Sequence, residues 1–150
     1  MADTKSAEER SRNMAAIRST NTAPELYIRK LLFNRGYRYR LYDKRLPGHP
    51  DLWMKKYNTA VYVNGCFWHR HNGCRYAYTP KSRLEFWNET FRHNVERDLL
   101  VKRELEERNI RCLVIWECTV KNAQKKNGNP DTLLQKITSF LNSSSNYAEI

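Results

Sequence analysis

The chain has 150 residues, the size of one domain around one hydrophobic core, and an aromatic content of 12% excludes a disordered polypeptide. Lysine and arginine number 27 against 16 aspartates and glutamates, so the net charge of +11 points to a polyanionic partner, nucleic acid ahead of an anionic membrane surface. No apolar run approaches the roughly 18 residues that span a bilayer, and the N-terminus has no apolar export core. The expected compartment is therefore a reducing cytosol, where the cysteines are thiols or metal ligands rather than disulfides.

A first helix is expected from about Ala7 to Ile17, with Arg10, Arg12 and Arg18 on or beside it. Thr22-Ala23-Pro24-Glu25 is a capping box that opens a second helix, which should stop at Gly36. Tyr37 to Leu41 alternates like a strand, and Leu46-Pro47-Gly48-His49-Pro50 is turn chemistry leading into a short apolar run, Leu52 to Met54. Thr59 to Val63 is β-branched and aromatic, hence a strand. Gly65 to Pro80 has no period and is expected to be a loop. Ser82-Arg83-Leu84-Glu85 looks like a second capping box, opening a long helix to about Asn109 whose buried face should carry Leu84, Trp87, Phe91, Val95, Leu99 and Leu105. Ile110 to Trp116 is a buried strand, and Leu133, Leu134, Ile137, Phe140 and Leu141 mark a final amphipathic helix. The order α, α, β, β, β, α, β, α predicts a single α/β domain over residues 1–150, a mixed sheet flanked by helices. Soft ends are expected: an N-terminal arm of about residues 1–20 and a flexible tail of about 143–150.

Two chemical signals stand out. Cys66, His69, His71 and Cys74 fall within one short aperiodic loop, and Cys118 follows the strand that ends at Trp116. Three thiolates and one imidazole suit a closed tetrahedral zinc site, which would substitute for a core in that loop. The spacing does not choose between His69 and His71. Cys112 lies inside a strand run and is expected to be packing. The second signal is Asp51, where a turn meets a strand, a rigid edge on which a carboxylate can hold magnesium. Alone it is weak, since turn aspartates usually cap or are solvated. The next strand, Val61-Tyr62-Val63-Asn64, lacks the second acid and lysine that nucleases with a Pro-Asp start carry, although a main-chain carbonyl also suits magnesium. His69 is the natural group to move a proton near neutral pH.

Leu46-Pro47-Gly48-His49-Pro50-Asp51, Asn64-Gly65-Cys66-Phe67-Trp68-His69, Asn94-Val95-Glu96-Arg97-Asp98 and Trp116-Glu117-Cys118, in that order and preceded by Arg12-Asn13-Met14-Ala15-Ala16-Ile17, resemble the very-short-patch repair (Vsr) mismatch endonucleases. The resemblance implies a restriction-endonuclease-like fold with an added structural zinc. It implies magnesium-dependent nicking 5′ of the T in T:G mismatches left by deamination of 5-methylcytosine. By position it makes Cys66, His71, Cys74 and Cys118 the zinc ligands, His69 the catalytic histidine, and Asp51 with the main-chain carbonyl of Val63 the magnesium ligands, with Glu25 nearby. It also casts Phe67, Trp68 and Met14 as wedges into a base step, whereas from the residues alone Phe67 and Trp68 fit core packing equally well. Arg10, Arg12, Arg18, Lys81 and Arg83 are read as phosphate contacts, with solvated surface charge as the alternative. The expected partner is double-stranded DNA with a T:G mismatch, bound by a monomer that hands over to repair proteins in the bacterial cytoplasm, at the nucleoid. Departures are Asn64 and Val63, where members commonly carry His and Thr, and one additional residue before Cys74. Two other readings stay open: a restriction-type endonuclease acting on intact sites, and a zinc-dependent DNA-binding module without catalysis.

Overall fold

The computed structural model describes residues 20–150. The expected first helix, with Arg10, Arg12, Met14 and Arg18, lies outside the described residues. Helix α1 spans Ala23–Phe33 and starts as its capping signal requires: Thr22 Oγ1 accepts from the Glu25 N–H at 3.4 Å. Glu25 reaches back to the N–H of Asn21 at 3.2 Å. Gly36, with φ +90°, follows the helix end as a residue able to take the left-handed turn.

Strands β1 (Arg40–Leu41), β2 (Leu52–Met54) and β3 (Thr59–Asn64) form an antiparallel meander. Helix α2 (Leu84–Glu107) crosses over to β4 (Arg111–Trp116), which pairs parallel to β3 from Thr59↔Arg111 to Asn64↔Trp116. Helices α3 (Glu117–Gln124) and α4 (Pro130–Leu141) follow, and β5 (Tyr147–Glu149) returns parallel to β4. The result is one mixed sheet of order β1-β2-β3-β4-β5.

Side-chain alternation along the central strands sorts the layers. Leu113 and Ile115 of β4 and Val61 of β3 face one side, where they are buried with Ile28 and Leu32 of α1, Val120 of α3 and Ile137 of α4. Cys112, Val114 and Trp116 face the other side with Ala60, Cys66 and Leu105 of α2. Helices thus cover both faces, as an α/β sheet with parallel central strands requires. Each fully buried aliphatic side chain contributes about 1.5–3 kcal/mol relative to exposure.

Four expectations are corrected. Ser82 does not cap α2: Arg83 takes the N-cap position at φ 56° with no side-chain cap bond. The buried face of α2 is narrow, with Phe91 and Leu105 buried, Trp87 half-buried, and Leu84, Val95 and Leu99 exposed, because α2 borders an open groove rather than lying flat on the sheet. Helix α3 was not anticipated; with only eight residues it shows little period, and Val120 and Ala123 anchor it. The C-terminal residues are not a loose tail. Ile150 and β5 are hydrogen-bonded to β4, and Arg111 donates to the carbonyls of Leu141, Ser143 and Ser145 on the way there.

Candidate active site and metal centre

Strand β2 begins at Leu52, opposite Val61, so Val63 lies two residues past the last pair of that ladder. Its N–H is taken instead by Asp51 Oδ2 at 2.7 Å. The turn before β2 therefore delivers Asp51 to the open end of β3. Burial first, and then the adjacent carboxyl of Glu25, push the Asp51 carboxyl up to about 8, against the pull of the Val63 N–H and Arg29. Glu25, 1% exposed, is bound by Arg29 and Tyr42 through Oε2, while its buried Oε1 has no partner among the described residues. Two carboxyls side by side, one partly buried and one buried with an orphaned oxygen, suit a hard divalent cation, whose charge would relieve both the repulsion and the missing bond.

His69 approaches from the loop after β3. Its Nδ1 lies 2.7 Å from Asp98 Oδ2, and both side chains are partly exposed. One turn earlier on α2, Asn94 Nδ2 donates to the Trp68 carbonyl at 3.0 Å, so α2 grips two consecutive loop residues. Asp98 closes the Asn94–Asp98 motif, and the sequence alone shows no role for it. The signal that could have found it is the Asn94/Asp98 spacing, which puts two polar side chains on one helix face. Asp51, His69, Asp98, Asn64 and the backbone of Val63 border one open groove of about 860 Å³ between the sheet and α2.

Behind the groove, the ligand atoms of Cys66, His71, Cys74 and Cys118 all lie within 4.8 Å of one another. His71 Nδ1 is 3.6 Å from Cys66 Sγ and 3.4 Å from Cys118 Sγ, and its ring stacks on Trp116 at 4.2 Å. Burial pushes the Cys66 thiol up to about 12. For Cys74 burial acts the same way, but hydrogen bonds with Tyr76, Cys66, Cys118 and Ala77 together lower it below an ordinary thiol. A compact set of soft donors with one sulfur held toward the thiolate could hold a metal ion. His69 and Cys112 lie outside this cluster.

Phe67 sits among aromatic rings: Trp68, Tyr78, Trp87 and Phe91 have centroids 5.1–5.4 Å away. Trp68 is half-buried and tilts against Trp87 at 5.8 Å. Arg70 fastens the loop, donating to the carbonyls of Phe67, Ala77 and Tyr78 and lying 3.8 Å over Phe91. Lys81 and Arg83 are exposed at the start of α2.

Residues 2–75 match the family described as DNA mismatch endonuclease Vsr. A type II nicking enzyme, V.NmeAIP of Neisseria meningitidis serogroup A, is 43% identical over 122 residues, 81% of this chain and 86% of that relative. The chain belongs to the Vsr DNA mismatch endonuclease family. The DNA mismatch endonuclease Vsr of Escherichia coli K12 is 39% identical over 125 residues, covering 83% of this chain and 80% of its own length. The type II nicking enzyme V.XorIIP of Xanthomonas oryzae is 41% identical, covering 81% and 89%. Among the described residues of this Vsr-family protein, no helix is long and apolar enough to cross a membrane.

Proposed function

We propose that this Vsr-family protein is a DNA nicking endonuclease that hydrolyses the phosphodiester 5′ of the T in a T:G mismatch, working as a monomer on bacterial cytoplasmic DNA and opening the strand for repair proteins. The observation that carries the reading is one groove bordered by Asp51, which lies beside the buried Glu25, and by a histidine paired with a carboxylate, His69 and Asp98.

Magnesium, when bound, would polarise the phosphate and supply an acidified water. Asp51 and the Val63 carbonyl would be its ligands. A strand residue directs its N–H and C=O to the same side, so the carbonyl emerges where Asp51 already meets the N–H. Glu25 neighbours Asp51 and is read as an acceptor for metal-bound waters. Asp98 holds His69 as the Nδ1–H tautomer, which leaves Nε2 to accept the proton of the attacking water. The water oxygen bonds to phosphorus as the bond to the leaving sugar oxygen breaks, and Asp98 stabilises the imidazolium that results. The mixed sheet, with Asp51 just before β2 meeting the end of β3 and helices on both faces, is read as a restriction-endonuclease-like fold.

Cys66, His71, Cys74 and Cys118 are read as structural zinc ligands that tie the His69 loop to the start of α3. Phe67 and Trp68, with Met14, are read as the wedge that opens the mismatch, and a T:G wobble costs less to unstack than a paired step. Arg10, Arg12, Arg18, Lys81 and Arg83 are read as phosphate contacts. The test is magnesium-dependent cleavage of a T:G duplex beside its T:A counterpart. Equal cutting of both would favour a restriction-type enzyme, and tight binding without cutting a non-catalytic module.

A further inference from the structure

The groove has a second rim whose side chains the chemistry above leaves unused. Between β1 and β2, residues 42–50 form an irregular loop in which Pro47 and Pro50 are buried while Lys44 and His49 are exposed and border the groove. The loop is held rigidly from beneath. Tyr62 donates its hydroxyl to the Pro47 carbonyl at 2.6 Å, and Arg108 donates to the Arg45 carbonyl at 2.9 Å. Asp43 accepts from both the main chain and the guanidinium of Arg45. Gly48, at φ +68°, lies so near α2 that a Cβ there would meet Val101 Cγ2 at 2.9 Å.

His49 follows in the left-handed region at φ 46°, a conformation that glycine adopts without penalty. The imidazole is exposed on a backbone held from beneath and stands at the rim of the groove, where a bound ligand would meet it. Its Cα lies within about 7 Å of the Asp51 Cα, two residues on. Successive nucleotides rise about 3.4 Å along a strand, so the imidazole reaches base pairs within roughly two or three steps of the cut bond.

We propose that His49 is a specificity-determining residue: it donates an imidazole N–H to the acceptor edge of a guanine, O6 or N7, in a base pair flanking the cleaved bond. Lys44 beside it, a point charge on a flexible stem, contacts phosphate instead. The assignment rests on the reading of the groove as a T:G nicking site.

The experiment compares wild type, His49→Gly, His49→Ala and Lys44→Ala on T:G duplexes in which the flanking pairs are varied one at a time. Both affinity and single-turnover nicking are measured on every duplex. His49→Gly relieves the backbone conformation, so its melting temperature and zinc content should match or exceed wild type. Its preference for G at one flanking position should fall roughly five- to tenfold relative to other positions. Lys44→Ala should weaken binding evenly across contexts and flatten the salt dependence. A His49→Gly or His49→Ala profile that keeps the wild-type preferences, or drops evenly in all contexts, overturns the proposal. If wild type nicks no T:G duplex, the nicking function itself fails, and the binding preferences still decide whether His49 reads a base.

Discussion

Replacing Asp51 with asparagine should stabilise the magnesium-free protein while abolishing nicking. The carboxyl is held at about 8 by burial and by Glu25, against 3.8 ordinarily. The unfolded chain releases this proton at the ordinary value and the folded chain keeps it, so the folded state binds more protons between the two. The stability this residue contributes is therefore complete below about pH 4 and is lost as pH rises toward about 8. At pH 7 the difference is about 3 units, an upper bound of about 4 kcal/mol at about 1.36 kcal/mol per unit. Structural relaxation and the partial exposure of Asp51 reduce the expected gain to about 2 kcal/mol, roughly 4–8 °C in Tm for a chain of this size. Asparagine keeps an oxygen to accept the Val63 N–H, so no bond is lost in exchange. The assay is thermal unfolding of zinc-loaded, magnesium-free protein from about pH 4 to 8. The two proteins should melt together at the acid end and separate as pH rises, and magnesium should raise the Tm of wild type alone. A variant that melts lower at pH 7, or a difference that does not change with pH, would mean that burial beside Glu25 does not raise the Asp51 carboxyl.

His69→Ala should slow single-turnover nicking by roughly two to four orders of magnitude and leave zinc content intact. Asp98→Asn should slow it too, by leaving the histidine in the wrong tautomer; unchanged nicking would remove Asp98 from the site. Cys74→Ser should lose the metal and destabilise the fold, since metal binding free energy is partly folding free energy, whereas Cys112→Ser should keep about one zinc per chain by elemental analysis. Phe67→Ala should cost more stability than Trp68→Ala, about 2 kcal/mol or more, because Phe67 touches four rings, while Trp68→Ala should weaken T:G binding more than it lowers the Tm. Denaturation curves and mismatch affinities of the two variants check the contrast.

Elements with their own signal were legible from the sequence. The Thr22/Glu25 capping box, the β-branched run of β3 and the apolar stripe of α4 each state their structure locally. What failed depends on tertiary contact. Tyr147–Glu149 becomes a strand only because β4 offers an edge and Arg111 binds the carbonyls leading to it. Val95 and Leu99 keep helical spacing yet border a groove, and periodicity cannot tell a core from a cleft. The same division holds at the site. Cys66 and Cys74 announce themselves by loop spacing, and the resemblance, not spacing, separated His71 from His69; in the fold His71 joins the cluster and His69 turns to Asp98. Glu25 reads as a helix cap, and it does accept from Asn21, but its adjacency to Asp51 exists only in the folded chain.

The groove bordered by Asp51, His69 and Asp98, with Glu25 beside Asp51, is proposed to cut one strand beside a mismatch. Single-turnover cleavage of end-labelled T:G and T:A duplexes, with magnesium titrated and the cut mapped to the nucleotide, tests it most directly. The expected result is one magnesium-dependent break 5′ of the mismatched T, an intact opposite strand and an uncut T:A duplex. Cutting that is equal on both duplexes, or that proceeds unchanged in Asp51→Asn, would contradict it.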